Sequence, residues 1–166
     1  MKGHVIKDME CIFCKIVAKQ LPAFRFWEDH KHVAFLSIFP NTPGATVVIT
    51  KEHHSSDIFS LPEDVICQLT IAAQKVAHIL NAKLPNVGRT ALVYEGYGVN
   101  HAHAKLFPMH GTKEFTDKNW KPIKSNNNTF FESYPGYISS HDCANSTNEE
   151  LKEIINLLGD TKNPDS

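Results

Sequence analysis

The chain has 166 residues, 42% of them hydrophobic and 21% charged, which fits one soluble domain built on one core. A net charge of -1 excludes the broad basic surface that a nucleic-acid polymer requires, although a small phosphorylated ligand needs only a few local cations. No apolar run is long enough to span a bilayer, and Met1 to Asp8 lack the apolar centre of a signal peptide, so a cytoplasmic protein with no membrane partner is expected.

In chain order, Cys11 to Lys19 carries Ile12, Phe13, Ile16 and Val17 at near-helical spacing and predicts a short helix that Pro22 would stop. Phe24 to Glu28 and Val33 to Ile38 predict two strands joined by a hairpin turn at Asp29-His30-Lys31-His32. A Pro-Asn-Thr-Pro-Gly loop ending at Gly44 leads into a strand from Ala45 to Thr50, and a polar loop through His53 and His54 follows. Ser60 and Glu63 have the spacing of a capping box. Ile66, Leu69, Ala73, Val76, Ala77 and Leu80 then form one apolar stripe, predicting a long helix from about Leu61 to Lys83. Pro85 to Gly88 would end it. Thr90 to Tyr94 predicts a strand, Glu95 to Gly98 a turn, and Asn100 to Met109 the returning strand.

From His110 to Thr129 the sequence is polar, and Trp120 within it reads as a lid anchored on the domain. Tyr134 to Ile138 predicts a short last strand. Ser146 with Glu149 offers a second capping box, ahead of a helix striped by Leu151, Ile154, Ile155 and Leu158 that stops at Gly159. Strands joined by turns too short for helical crossovers predict an α+β fold with an antiparallel sheet. The expected organisation is one domain over residues 1–166, with a core at about 11–110 and a C-terminal extension.

The stretch Asn100-His-Ala-His-Ala-Lys-Leu-Phe107 places His101, His103 and Lys105 at alternate positions. On a strand these three share one face, while Ala102, Ala104 and Leu106 face a core. Three protonatable groups on one face repel each other, so that face suits an anion, a metal or both. Ordinary surface histidines are the alternative. An imidazole can attack phosphorus when its other nitrogen is held by an acceptor and cations surround the phosphate oxygens. On that logic His103 is the candidate nucleophile and Lys105 a phosphate contact. Cys11 and Cys14 form a C-x-x-C that, with His101 and one of His53 or His54, has the donors of a tetrahedral zinc site. Two half-buried thiols beside a hydrated histidine pair are equally compatible with that spacing. Phe13, Phe35, Leu36 and Ile38 could hold a flat base, though such residues usually form core.

Three blocks together resemble the histidine triad (HIT) family of nucleotide hydrolases and transferases: CIFCKIVAKQLPAFRFWED, VAFLSIFPNTPGATVVITKEH and HAHAKLFP. The resemblance implies an α+β fold paired as a homodimer, and attack by His103 on the α-phosphate of a small nucleotide substrate through a nucleotidyl-histidine intermediate. It implies a structural zinc on Cys11, Cys14, His53 and His101, selecting His53 over His54. It also implies a nucleotide pocket at Phe13, Phe35, Leu36, Ser37 and Ile38, with Asn100 as a replacement donor. The chain departs from the family at Lys105, where the third histidine of the motif usually stands, and at Ser37, where an aspartate usually holds the ribose. Those departures keep open a nucleotide-binding module with weak turnover.

Overall fold

The structure, a computed structural model, describes residues 10–115 and 146–159. Residues 116–129 of the polar segment, Trp120 among them, the strand predicted at 134–138 and both termini lie outside the described residues. Helix α1 (Ile12–Val17) leads to strands β1 (Arg25–Glu28), β2 (His32–Leu36) and β3 (Thr46–Thr50). Helix α2 (Glu63–Lys83), strands β4 (Val87–Val93) and β5 (His103–His110), and helix α3 (Asn148–Leu158) follow. The strands form one antiparallel sheet in the order β1-β2-β3-β5-β4, so the fold is α+β as expected. Among the described residues no helix is long and apolar enough to cross a membrane.

Alternation along the strands gives the sheet two unlike faces. On one, Ala34, Leu36, Val48, Ala104 and Leu106 pack against Leu69, Ala72, Ala73, Val76 and Leu80 of α2, with Leu151 and Leu158 of α3 joining the same core. On the other, Val33, Phe35 and Ile49 form a smaller cluster with Ile16, against which Phe13 and Val17 of α1 pack. The pairing register continues this second face onto β5. Ile49 stands opposite His103, and Val47 opposite Lys105.

Several element ends differ from expectation for local reasons. Helix α1 stops before Pro22 can act. Lys19 takes a left-handed φ of 59°, and the N–H groups of Lys19 and Gln20 donate to the carbonyls of Ile16 and Lys15, the closure usually made with glycine. Ser60 does not cap α2. Leu61 precedes a proline, a position that disfavours helical backbone, and Leu61 and Pro62 are both extended. Ser60 instead ends a turn of 3-10 helix, Ile58–Ser60, and its hydroxyl donates to the Asp57 carbonyl at 2.8 Å. The second capping box is shifted by one residue. The Thr147 hydroxyl accepts from the Glu150 N–H while the Glu150 carboxylate accepts from the Thr147 N–H, which leaves the Ser146 N–H to bond the Ile38 carbonyl at 3.4 Å. Gly159 does end α3, with a φ of 70°. β4 begins at Val87 rather than Thr90, with a register shift at Gly88. A Cβ there would stand 2.4 Å from the Thr112 carbonyl oxygen, so only glycine fits. β5 starts at His103 rather than Asn100 and extends to His110.

Candidate active site

The site lies where the second sheet face meets α1. Cys11 is the N-cap of α1 and Cys14 lies in its first turn, which brings both thiols to one end of the helix. His53 comes from the loop after β3. His101 comes from the turn before β5, where its N–H donates to the Val99 carbonyl at 2.8 Å. The ligand atoms of these four residues all lie within 4.8 Å of one another. His54 stays outside this group, near the Glu52 carboxylate at 3.7 Å. Cys67 is exposed on α2.

The donor geometry suits a tetrahedral metal. The His101 Nδ1 lies 3.4 Å from the Cys11 sulfur and 3.5 Å from the Cys14 sulfur, and the His53 Nδ1 lies 3.3 Å from the Cys14 sulfur. Zinc bonds of about 2.3 Å to sulfur and about 2.0–2.1 Å to nitrogen, at tetrahedral angles, put sulfur and nitrogen about 3.5 Å apart. On the far side of its ring, His101 Nε2 donates to the Thr50 carbonyl at 2.7 Å, which turns the Nδ1 lone pair towards the sulfurs. Burial is the main cause of a His101 pKa lowered to about 4, so the ring is held neutral, as a metal ligand must be.

His103 is buried, and its Nδ1 donates to the His101 carbonyl at 2.6 Å. In the neutral ring that bond fixes the tautomer and leaves the lone pair on Nε2. Phe13 packs edge-on against both histidines, with ring centroids 5.8 Å from His101 and 5.5 Å from His103. Phe35 meets Phe13 at 5.7 Å.

Lys105 is also buried, and its ammonium donates to the Glu95 carboxylate at 2.8 Å, with side chains only 7% and 9% exposed. Val93 pairs with Lys105, so Glu95, two residues beyond, lies on the same face. By sequence alone Glu95 falls in a turn. The parity of Val93 and Glu95, read against the partner strand, was the signal available. The Thr50 carbonyl was also missed, because a backbone acceptor at a strand end leaves no mark in side-chain pattern.

The remaining candidates divide. Phe13 and Phe35 join the two histidines. Leu36 points the other way, into the main core at 2% exposure, so it does not line this face. Ser37 lies just past β2, where its hydroxyl accepts from the Phe39 N–H at 3.2 Å, and Ile38 beside it is exposed. The Asn100 side-chain oxygen accepts from the N–H and the hydroxyl of Ser56, at 3.1 and 3.3 Å, and so ties the turn before His101 to the loop after β3.

Comparison with known proteins agrees with this architecture. Residues 18–112 match the HIT domain. The protein named hit of Bacillus subtilis is 30% identical over 115 residues, covering 67% of this chain and 79% of the relative. The adenosine 5'-monophosphoramidase of Saccharomyces cerevisiae is 27% identical over 120 residues, covering 72% and 75%. A zinc-bound histidine triad family protein from Mycobacterium smegmatis superposes with a TM-score of 0.56 at 26% identity, over 66% of this chain and 82% of that one. A domain match across most of the chain, on a five-stranded sheet that carries His103 beside a Cys-Cys-His-His cluster, leads to one conclusion: the chain belongs to the histidine triad family.

Proposed function

We infer that the protein is a nucleotidyl hydrolase or transferase acting at the α-phosphate of a nucleotide-containing substrate, of the dinucleoside polyphosphate or nucleoside phosphoramidate type. The observation that carries this reading is the 2.6 Å bond from His103 Nδ1 to the His101 carbonyl, which directs the other nitrogen to act as nucleophile. In the first step His103 Nε2 forms a bond to phosphorus as the bond to the leaving group breaks, the electron pair going with the leaving group, which takes a proton from solvent where it departs as an amine. In the second, water or another acceptor attacks phosphorus, the P–N bond breaks, the pair returns to Nε2 and the attacking group gives its proton to solvent. The ammonium of Lys105 offsets charge on the phosphate oxygens. Phe13 and Phe35 offer an apolar wall for the nucleoside, with Ser37 and Ile38 at its end and Asn100 as a donor across the site. Leu36 shapes that wall only from behind.

Zinc on Cys11, Cys14, His53 and His101 is structural in this reading, because four protein ligands leave no open position. It would tie α1 to the entry of β5. A homodimer belongs to the same reading. It is supported by β4 standing at the edge of the sheet with Leu92 exposed, and by exposed Ile71 on the adjoining α2. Sedimentation at micromolar concentration tests it, and a purely monomeric chain would count against it.

The test of the activity is release of nucleoside monophosphate from both substrate types by wild type and by His103→Ala. Activity in wild type and none in the variant is expected; an inactive wild type, or an active variant, sinks the reading. The Lys105–Glu95 pair favours a second reading, a nucleotide-binding module with slow turnover, since a partnered ammonium is a weaker electrophilic aid. Calorimetric binding of a nucleoside monophosphate without turnover would select it.

A further inference from the structure

The Glu95–Lys105 pair has a geometry that a simple surface ion pair lacks. Glu95 is fixed on both sides by its chain neighbours. Tyr94 packs against the main core on the opposite face of the sheet, and its hydroxyl lies 2.7 Å from that of Thr70. Gly96 has a φ of +75°, and a Cβ there would stand 2.8 Å from the Ser56 carbonyl oxygen, while the Ser56 hydroxyl donates to the Gly96 carbonyl at 2.7 Å. With Tyr94 anchored on the core side of the sheet and Gly96 clamped, the intervening side chain is directed onto the face that carries His103. The carboxylate is thus held, with little freedom and little solvent, against the ammonium of Lys105 on the strand face that carries His103.

We propose that Glu95 is a specificity-determining residue: paired with Lys105 it positions the ammonium on the phosphate and sets against it a fixed negative charge, selecting leaving groups that depart as amines over those that depart as phosphate anions. The proposal rests on the nucleotidyl-transfer reading above and names its preferred substrate class, a nucleoside phosphoramidate. A phosphoramidate carries one negative charge at phosphorus and releases an amine. A polyphosphate releases a group with two or more negative charges. The carboxylate cancels most of the attraction that a lone ammonium would exert, and that loss is larger for the more highly charged leaving group. A third histidine in the position of Lys105 would need no such counter-charge, so the pair is a feature of this chain's own chemistry. Selectivity built from a repulsive group leaves a signature in the sign of its mutants.

The experiment measures kcat/KM for an adenosine phosphoramidate and for a diadenosine polyphosphate, together with calorimetric affinities for AMP and ADP, in wild type, Glu95→Gln, Lys105→Met and the double variant. Glu95→Gln is expected to shift both ratios at least tenfold towards the more highly charged member. Lys105→Met, which leaves the carboxylate, is expected to shift them the opposite way, and the double variant to fall between. A loss of structure alone lowers all values together and does not move a ratio in opposite directions. Should Glu95→Gln fail to fold, Lys105→Met and the double variant still supply the comparison. Ratios within twofold of wild type, or shifts of the same sign in both single variants, overturn the proposal. If wild type binds AMP and ADP without turnover, the activity reading falls and the leaving-group preference that rests on it falls too, whereas turnover with unmoved ratios overturns this proposal alone. If it binds neither, both fall.

Discussion

The two faces of β5 are built on opposite principles. Ala104 and Leu106 are held by shape: they fill space against α2, and nothing about them is directional. His103 and Lys105, one residue away in each case, are held by partners: a backbone carbonyl for one and a carboxylate for the other. No buried side-chain nitrogen or oxygen among the described residues lacks a hydrogen-bond partner. The contrast shows how a single strand can serve both stability and chemistry. An apolar face tolerates a change of identity if volume is kept, whereas a buried polar face tolerates a change of volume more readily than the loss of a partner.

Substitutions can break or sharpen that division, and the largest effect should come from the nucleophile. His103→Ala should lower turnover by at least about 10³-fold, and should also cost about 1–3 kcal/mol of stability because it removes a buried ring and leaves the His101 carbonyl without its donor. Turnover retained in folded variant protein would remove His103 from the role of nucleophile. Next comes the metal cluster. Cys14→Ser should remove bound zinc, read by elemental analysis, and cost about 3 kcal/mol or more in denaturant unfolding. A metal-free wild type of equal stability would remove zinc from the account. On the apolar face, Leu106→Ala should cost about 3 kcal/mol through the cavity it leaves, with little change in kcat for protein that remains folded. A selective loss of kcat there would show that the faces are coupled.

The smallest effect is expected from pH at the β1–β2 turn, where His32 pairs across the sheet with Thr50. His32 is buried 3.1 Å from Asp29, and burial, outweighing that carboxylate, lowers its pKa. The unfolded chain therefore takes up a proton at this position at higher pH than the folded chain does. Stability from His32 is present above the ordinary histidine value near 6.5 and declines as pH falls through it towards the lowered value. Asp29 opposes burial with two backbone N–H bonds and its His32 contact, which hold its pKa below the usual carboxylate value, so its contribution is lost only in stronger acid. Comparing unfolding midpoints between pH 7.5 and 5.5 in wild type and His32→Gln isolates the first term. A slope that survives the substitution would assign it elsewhere.

Much of this division was legible in the sequence. Period-two alternation from Ala102 to Leu106 separated the faces of β5, and the stripe from Ile66 to Leu80 placed α2 against one of them. Short turns predicted the antiparallel sheet. Leu36 shows what a motif cannot supply: resemblance carried it into the nucleotide pocket with its neighbours, but strand parity puts it on the core side of Phe35. Ser60 and Ser146 both matched a capping pattern that the backbone then used differently, in one case because a proline follows Leu61 and in the other because an adjacent Thr-x-x-Glu was available. Glu95 escaped because its partner lies ten residues further on in the chain, across a turn whose register only the paired strands define.

His101 has a consequence reaching past the metal. Its ring belongs to the Cys-His cluster while its own carbonyl is the acceptor that sets the tautomer of His103. One residue thus offers a ligand to that cluster and sets the tautomer of His103, with only its Cβ and Cα between ring and carbonyl. Stripping the metal without unfolding the chain should therefore blunt catalysis before it melts the protein. Assays of an unmetallated preparation would then understate what the sequence can do.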